Sequence, residues 1–173
     1  MQRIPQTGNA SGHRWNGWVP VSTSQQLTEP RNMAAQADLR GNTLRQIAPC
    51  FPGWQQLRVR LSNEFGTAPV SINAAHIAAS AGADSIKPGT DQALEFDGQS
   101  AITIQPGEAV LSDPFSFNLE PLSNVAITLQ IDEISSDITG HPGSRTTSYI
   151  KTGSHVSTSE MPEAAHTDHW YPD

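Results

Sequence analysis

Apolar and polar residues alternate along much of this chain, and this alternation constrains the fold more than any other feature of the sequence. Successive side chains of a β-strand point to opposite faces, so a period of two predicts strands with one face in a core and the other toward water. In the run 125–131, Val125, Ile127 and two further aliphatic residues alternate with Ala126, Thr128 and Gln130. We therefore expect Ile127 in the core and Thr128 on the water-facing side. Shorter runs of the same period cover 57–61, 70–74, 94–96, 102–104 and 115–119.

Pairs of turn-forming residues separate the alternating runs. About seven to nine short strands at a spacing of about 8–12 residues are typical of an antiparallel sandwich or jelly roll. Long helical patterns do not alternate with the strands, which disfavours a doubly wound α/β domain. The predicted fold class is therefore all-β, an antiparallel β-sandwich of jelly-roll type. The separating pairs are Pro52-Gly53, Pro88-Gly89, Asp97-Gly98, Pro106-Gly107 and Asp113-Pro114.

The 173 residues have the length of one domain. We divide them into a flexible segment at 1–14, a β-sandwich at 15–153 and a polar tail at 154–173. The tail is either an edge segment of the sheet or a linker toward a further domain. The segment 29–46 has a helical composition interrupted by Gly41, and a strand over 43–48 is the alternative.

Charge and cysteine content exclude several classes of function. The net charge of −7 argues against a nucleic-acid partner, because phosphate contacts require clustered lysine and arginine. No apolar run approaches the roughly 18 residues that a membrane span needs. No apolar segment follows Met1, so we expect no signal peptide in this sequence, and the compartment stays open. Cys50 is the only cysteine, which excludes an intrachain disulfide and a cysteine-based zinc site.

Ser85 is the first candidate for a catalytic residue. The segment Gly82-Ala83-Asp84-Ser85-Ile86 is superficially similar to the Gly-Asp-Ser nucleophile block of GDSL-type esterases. Proline and glycine at 88–89 prevent the helix that follows such a nucleophile. No Asp-x-x-His pair supplies a base. We therefore expect Ser85 to be a loop residue and assign no catalytic residue.

Two groups of residues invite a metal-binding interpretation. His166 and His169 lie three residues apart beside Asp168, a spacing that could share a metal on a helix, but no helical pattern surrounds them. A second, acidic group lacks the glycine-containing spacing of a calcium loop. We therefore expect no metal and no cofactor. The acidic group consists of Asp132, Glu133 and Asp137.

Tryptophan residues offer a separate hypothesis of function. Trp15 and Trp18 are close in sequence, and Trp170 lies near the end of the chain. Exposed tryptophans can stack on sugar rings, although burial with the indole N–H bonded to the backbone is the commoner fate. A carbohydrate-binding module that uses these side chains is therefore the alternative function.

An ordered set of short motifs runs through the chain. Together they resemble the N-terminal β-sandwich domain of two-domain bacterial esterases of the GDSL/SGNH type, over about residues 15–171. No single motif is decisive, but their order is fairly specific. The motifs are NTLR at 42–45, LRVRLSNEFG at 57–66, IKPGT at 86–90, LEFDG at 94–98, IQPGEAVLSDP at 104–114, PLS at 121–123 and HPGSRTTSY at 141–149.

The resemblance implies a function that this chain does not perform alone. In such esterases a catalytic domain follows and carries the serine, asparagine and Asp-x-x-His blocks, none of which occurs here. The resemblance therefore implies an accessory domain of a serine ester hydrolase, one that packs on the catalytic SGNH domain and shapes substrate access. The implied substrate is an acylated sugar or a lipid ester, and a secreted or periplasmic location is slightly favoured. The docking face of a separated domain would also promote self-association.

Three residues within these motifs are candidates for lining a substrate or interdomain cleft. His141 and Arg145 occupy one turn-rich loop, where an imidazole and a guanidinium could hold a carboxylate. The alternative for this pair is a salt bridge that anchors the loop. Asn63 follows a predicted strand, and its alternative role is to cap the local backbone.

Overall fold

A computed structural model describes residues 26–27, 38–49, 56–118, 120, 123–134, 137–140 and 147–168. Within these ranges the regular structure consists of β-strands alone, all paired antiparallel. This confirms the predicted all-β antiparallel class, whereas jelly-roll connectivity stays a prediction. In chain order the strands are β1 (Gln26–Leu27), β2 (Asn42–Pro49), β3 (Gln56–Leu57), β4 (Arg60–Ser62), β5 (Val70–Gly82), β6 (Ser85–Ile86), β7 (Gln92–Ala93), β8 (Ile102–Ile104), β9 (Ala109–Leu111), β10 (Phe115–Ser116), β11 (Asn124–Glu133), β12 (Thr139–Gly140), β13 (Thr147–Thr152) and β14 (Ala165–Asp168).

Within the described ranges, the main sheet contains eight strands. Its principal order is β14-β13-β2-β11-β5, and the far edge of the long strand β5 pairs in turn with β8, β7 and β6. The alternating run 125–131 lies in the central strand β11. Residues 42–46 lie in β2, so a strand replaces the helix considered for this part of 29–46.

Smaller strand pairs form the other side of the core. β3 pairs with β10, and β4 pairs with β9. Their apolar side chains join those of the main sheet in one cluster, an arrangement consistent with a β-sandwich. Phe115 and Phe117 meet edge to face, with ring centroids 6.3 Å apart and an interplanar angle of 81°. The buried members of this main core are Leu39, Leu44, Ala48, Val59, Leu61, Ile72, Ala75, Ile77, Leu94, Phe96, Ile104, Phe115, Phe117, Val125, Leu129, Ile131, Ile138 and Ile150.

The Asp97-Gly98 turn has the geometry that its sequence predicts. Phe96 N donates to Gln99 O at 2.8 Å, and Gln99 N donates back to Phe96 O at 3.0 Å. Asp97 and Gly98 both have positive φ, 50° and 73°, as a two-residue hairpin turn of type I′ requires. The Asp113 carboxylate accepts from both turn amides, at 3.2 Å from Asp97 N and 2.8 Å from Gly98 N. A residue distant in sequence therefore completes the turn.

The face of the central strand β11 that was expected to meet water is buried at Thr128. Ile127 is partly buried against the main core, as predicted. Thr128 is 2 % exposed, so the prediction that this side chain faces water is wrong. Part of the segment assigned to the polar tail covers the face to which Thr128 belongs. Further along that segment, β14 pairs with β13 and forms an edge of the sheet.

Candidate functional site

Asn63 is the one predicted cleft residue that falls within the described ranges. His141 and Arg145 lie outside the described residues, as do Trp15, Trp18 and Trp170. Their predicted roles stay predictions. His169, one of the two histidines considered and set aside as metal ligands, also lies outside them.

The Asn63 side chain is buried and bonded to the backbone of its own loop and of strand β8. It is 1 % exposed, and its Nδ2 donates to Ala68 O at 2.9 Å and to Ile104 O at 3.1 Å. Buried amides need such partners, since an unpaired polar group costs about 1–3 kcal/mol. Asn63 therefore ties the loop after β4 to the end of β8.

The backbone of Asn63 binds a second turn. Asn63 N donates to Glu108 O at 2.8 Å, and Gly107 N donates to Asn63 O at 2.9 Å. The Pro106-Gly107 turn predicted from the sequence is thus attached directly to the segment that follows β4. Gly66 N also reaches Asn63 O, at 3.2 Å, and closes the loop on itself.

The interior beside Asn63 contains only a small void. A cavity of ≈ 20 Å³ is lined by Asn63, Ser62, Thr139 and apolar side chains of the sheet. That space holds about one water molecule, whereas ligand pockets usually measure about 300–1,000 Å³. What the structure shows for Asn63 is a structural role, holding the loop after β4 in place.

The loop after β4 presents Phe65 to solvent. Phe65 is 44 % exposed, while its backbone N donates to Thr139 Oγ1 at 2.9 Å. Two residues later, Thr67 Oγ1 donates to Asp137 Oδ2 at 2.6 Å. The aromatic ring is thus exposed on a backbone that is anchored on both sides. Leu111 on β9, 45 % exposed, is the other large exposed apolar side chain in the described part of the chain.

A second cluster crosses the central strands on the face opposite the main core. Direct cross-strand partners point to the same face, and the register aligns Tyr149 with Arg45, Arg45 with Thr128 and Thr128 with His76. We call these four residues the polar row. Neither Arg45 nor His76 was among the site residues predicted from the sequence. Arg45 is the one charged residue within β2, and that isolation in the sequence could have pointed to it.

Arg45 is the buried centre of the polar row, with 0 % exposure. Its Nε donates to Thr128 Oγ1 at 2.9 Å, its Nη1 to Asp84 O at 2.6 Å and its Nη2 to Thr158 O at 2.8 Å. Burial lowers the pKa of the Arg45 guanidinium from its usual value, while the negative charges of Asp84 and Asp91 act in the opposite direction. All three nitrogens therefore hold structural contacts.

His76 contacts the Asp91 carboxylate at the end of the row. Its Nδ1 lies 2.8 Å from Asp91 Oδ2, and both side chains are largely buried. The other carboxylate oxygen, Asp91 Oδ1, is buried without a hydrogen-bond partner among the described residues. The contact holds the Asp91 carboxylate near enough to Arg45 for its negative charge to act on the guanidinium.

Ser85 lies in the short strand β6 rather than in a loop. β6 pairs back onto β5 through a two-residue turn at 83–84, with Gly82 opposite Ser85. The described residues contain no group of three or more His, Cys, Asp or Glu side chains suited to a metal ion. Nor do they include a helix with the length and apolar character needed to cross a bilayer.

Comparisons with known proteins add no family assignment. A scan against protein-family models found no match, and a search among curated proteins also found none.

Proposed function

We propose that this chain is an accessory β-sandwich domain that packs on the catalytic domain of an SGNH-type ester hydrolase and shapes access of the substrate. The order of the sequence motifs and the all-β fold support this proposal. Two of those motifs are also physical partners, because Asn63 of the 57–66 motif bonds to Gly107 and Glu108 of the 104–114 motif. The motifs thus have a structural reason to occur together.

The anchored Phe65 carries the proposal. Residues that contribute most to interfaces are enriched in aromatics, and preorganisation lowers the entropy lost on docking. Phe65 combines exposure with a backbone held by Thr139 and by the bonds of Asn63. A rigid loop that presents an aromatic ring suits contact with a second domain.

The first test is to read the gene beyond Asp173. A Gly-Asp-Ser block in the sequence that follows, with an Asp-x-x-His pair later, supports the accessory role. A stop codon directly after Asp173 contradicts it. Binding of the isolated chain to polysaccharide, lost when its tryptophans are replaced, would favour the carbohydrate-binding alternative.

The second test uses the two-domain protein. We expect Phe65→Ser to weaken domain docking, seen as faster hydrogen exchange at the domain contact and a lower kcat/KM for the ester. Leu111→Ser is the matched control, because it removes an equally exposed apolar side chain from a strand. Unchanged exchange and kcat/KM in Phe65→Ser would contradict the assignment of Phe65 as the docking anchor.

A further inference from the structure

Residues 153–161 lie over part of the polar row and bond to Thr43 at their start and to Arg45 further along. We call this segment the strap. The Thr43 hydroxyl donates to Gly153 O at 2.6 Å, and the Thr43 hydroxyl oxygen accepts from His155 N at 2.9 Å. Further along, Thr158 O accepts from Arg45 Nη2 at 2.8 Å. The strap therefore covers the face that carries Thr43 and Arg45.

The end of the strap is attached to the β5–β6 hairpin. Ser159 O accepts from Ile86 N at 2.8 Å. Met161 N donates to Asp84 Oδ2 at 2.7 Å, and the Met161 side chain is 1 % exposed. Residues 157–160 are exposed. One buried side chain and a few polar contacts thus hold the strap closed.

We propose that the strap opens and closes as one unit while the sandwich stays folded, and that this motion controls the exposure of Arg45. Neither apolar cluster of the described residues includes a strap residue. Opening therefore uncovers Met161 but removes no member of the main core. Segments with few buried apolar contacts open at a free energy well below that of global unfolding.

The chemistry of the covered face lowers the cost of opening. Beneath the middle of the strap the surface carries the polar side chains of Thr43, Arg45 and Thr128, and the Arg45 guanidinium is desolvated when the strap is closed. Opening returns Arg45 to water, and this hydration offsets part of the lost hydrogen bonding. An apolar surface in the same place would instead oppose opening.

The strap also lies between two fixed strands that mark its hinges. β13 ends at Thr152, and β14 begins at Ala165. Gly153 at the start of the strap has φ +86°, and Glu163 just beyond its end has φ 63°. A positive φ at a residue such as glutamate is strained. The strain favours release of the closed conformation at that end.

Hydrogen exchange of the intact chain tests the proposal. We expect the amides of Ile86, His155 and Met161 to exchange together, far faster than the central amides of β11. Met161→Ala should speed exchange of these three amides by about thirtyfold or more and leave β11 unchanged. Ser157→Ala, an exposed change within the strap, is the matched control. Exchange of the strap amides only at the rate of global unfolding would overturn the proposal.

A second experiment measures the exposure of Arg45 directly, by chemical modification. An arginine-specific dicarbonyl reagent should modify Arg45 slowly in the native chain and faster in Met161→Ala by the same factor as the amides. Arg40, whose side chain is 61 % exposed, is the internal standard. Glu163→Asn, which places a residue tolerant of positive φ at the hinge, should slow both readouts. If Arg45 were modified at the same rate in all variants, the strap would not control the exposure of Arg45.

Discussion

Asn63 and Gly66 lie so close that a β-carbon on Gly66 would sit 1.8 Å from Asn63 Oδ1 and 2.8 Å from its Cγ. The Asn63 amide cannot move aside without breaking its bonds to Ala68 O and Ile104 O. This pair therefore explains why the motif places glycine three residues after asparagine, in the loop that presents Phe65.

Gly66→Ala should destabilise the fold by about 1–3 kcal/mol, the usual cost of overpacking a filled site. Denaturant unfolding measures the change. The double variant Asn63→Ala/Gly66→Ala is the decisive comparison, because truncation at 63 removes the clashing atoms. We expect its cost to be clearly smaller than the sum of the two single costs, as coupled neighbours show. Additive costs would mean that the contact does not constrain Gly66.

Thr128→Val should destabilise the chain by about 1–3 kcal/mol. The substitution preserves the shape of the side chain but removes the hydroxyl that accepts from Arg45 Nε at 2.9 Å. A buried guanidinium would then lose one of its acceptors. Thr103→Val on β8 is the control, because Thr103 is exposed and bonds only to the exposed Ser71 hydroxyl in the described structure. Its cost should be about 0.5 kcal/mol or less, and equal midpoint shifts would contradict the buried role of Thr128.

Asp113→Ala should lower stability by about 1 kcal/mol, because its carboxylate accepts from two turn amides. Those amides are exposed, so water can replace part of the lost bonding. The effect should be local, with faster hydrogen exchange at Asp97 and Gly98 and an unchanged centre of β11. Glu95→Ala, which removes an exposed carboxylate next to the same hairpin, is a suitable control, and an equal loss there would argue against the capping role.

The isolated chain should hydrolyse no ester. A serine nucleophile needs a histidine base and oxyanion donors within reach. Ser85 lies in the two-residue strand β6, and the sequence offers no Asp-x-x-His pair to supply the base. Purified chain and Ser85→Ala should give the same background rate on short-chain nitrophenyl esters. Turnover above background that disappears in Ser85→Ala would contradict both this expectation and the accessory role.

The sequence by itself was sufficient for the fold class and for much of the local structure. Period-two alternation places Val125, Leu129 and Ile131 in the core, because a strand exposes its side chains to two faces in turn. The Asp97-Gly98 pair predicts its hairpin turn, because few residues adopt positive φ at both central positions. Asn63 could also be selected from sequence, as a residue that caps local backbone.

Only the tertiary structure decided what covers each face and which distant groups meet. Alternation places Thr128 on the face opposite the main core, but it carries no information on the segment that covers this face, which lies more than 100 residues beyond Arg45 and bonds to it. The contact of Asn63 with Gly107 and Glu108 is likewise long-range, as is the exposure of Phe65 on an anchored loop. Such contacts depend on how the layers pack around the core, and local periodicity does not encode that packing.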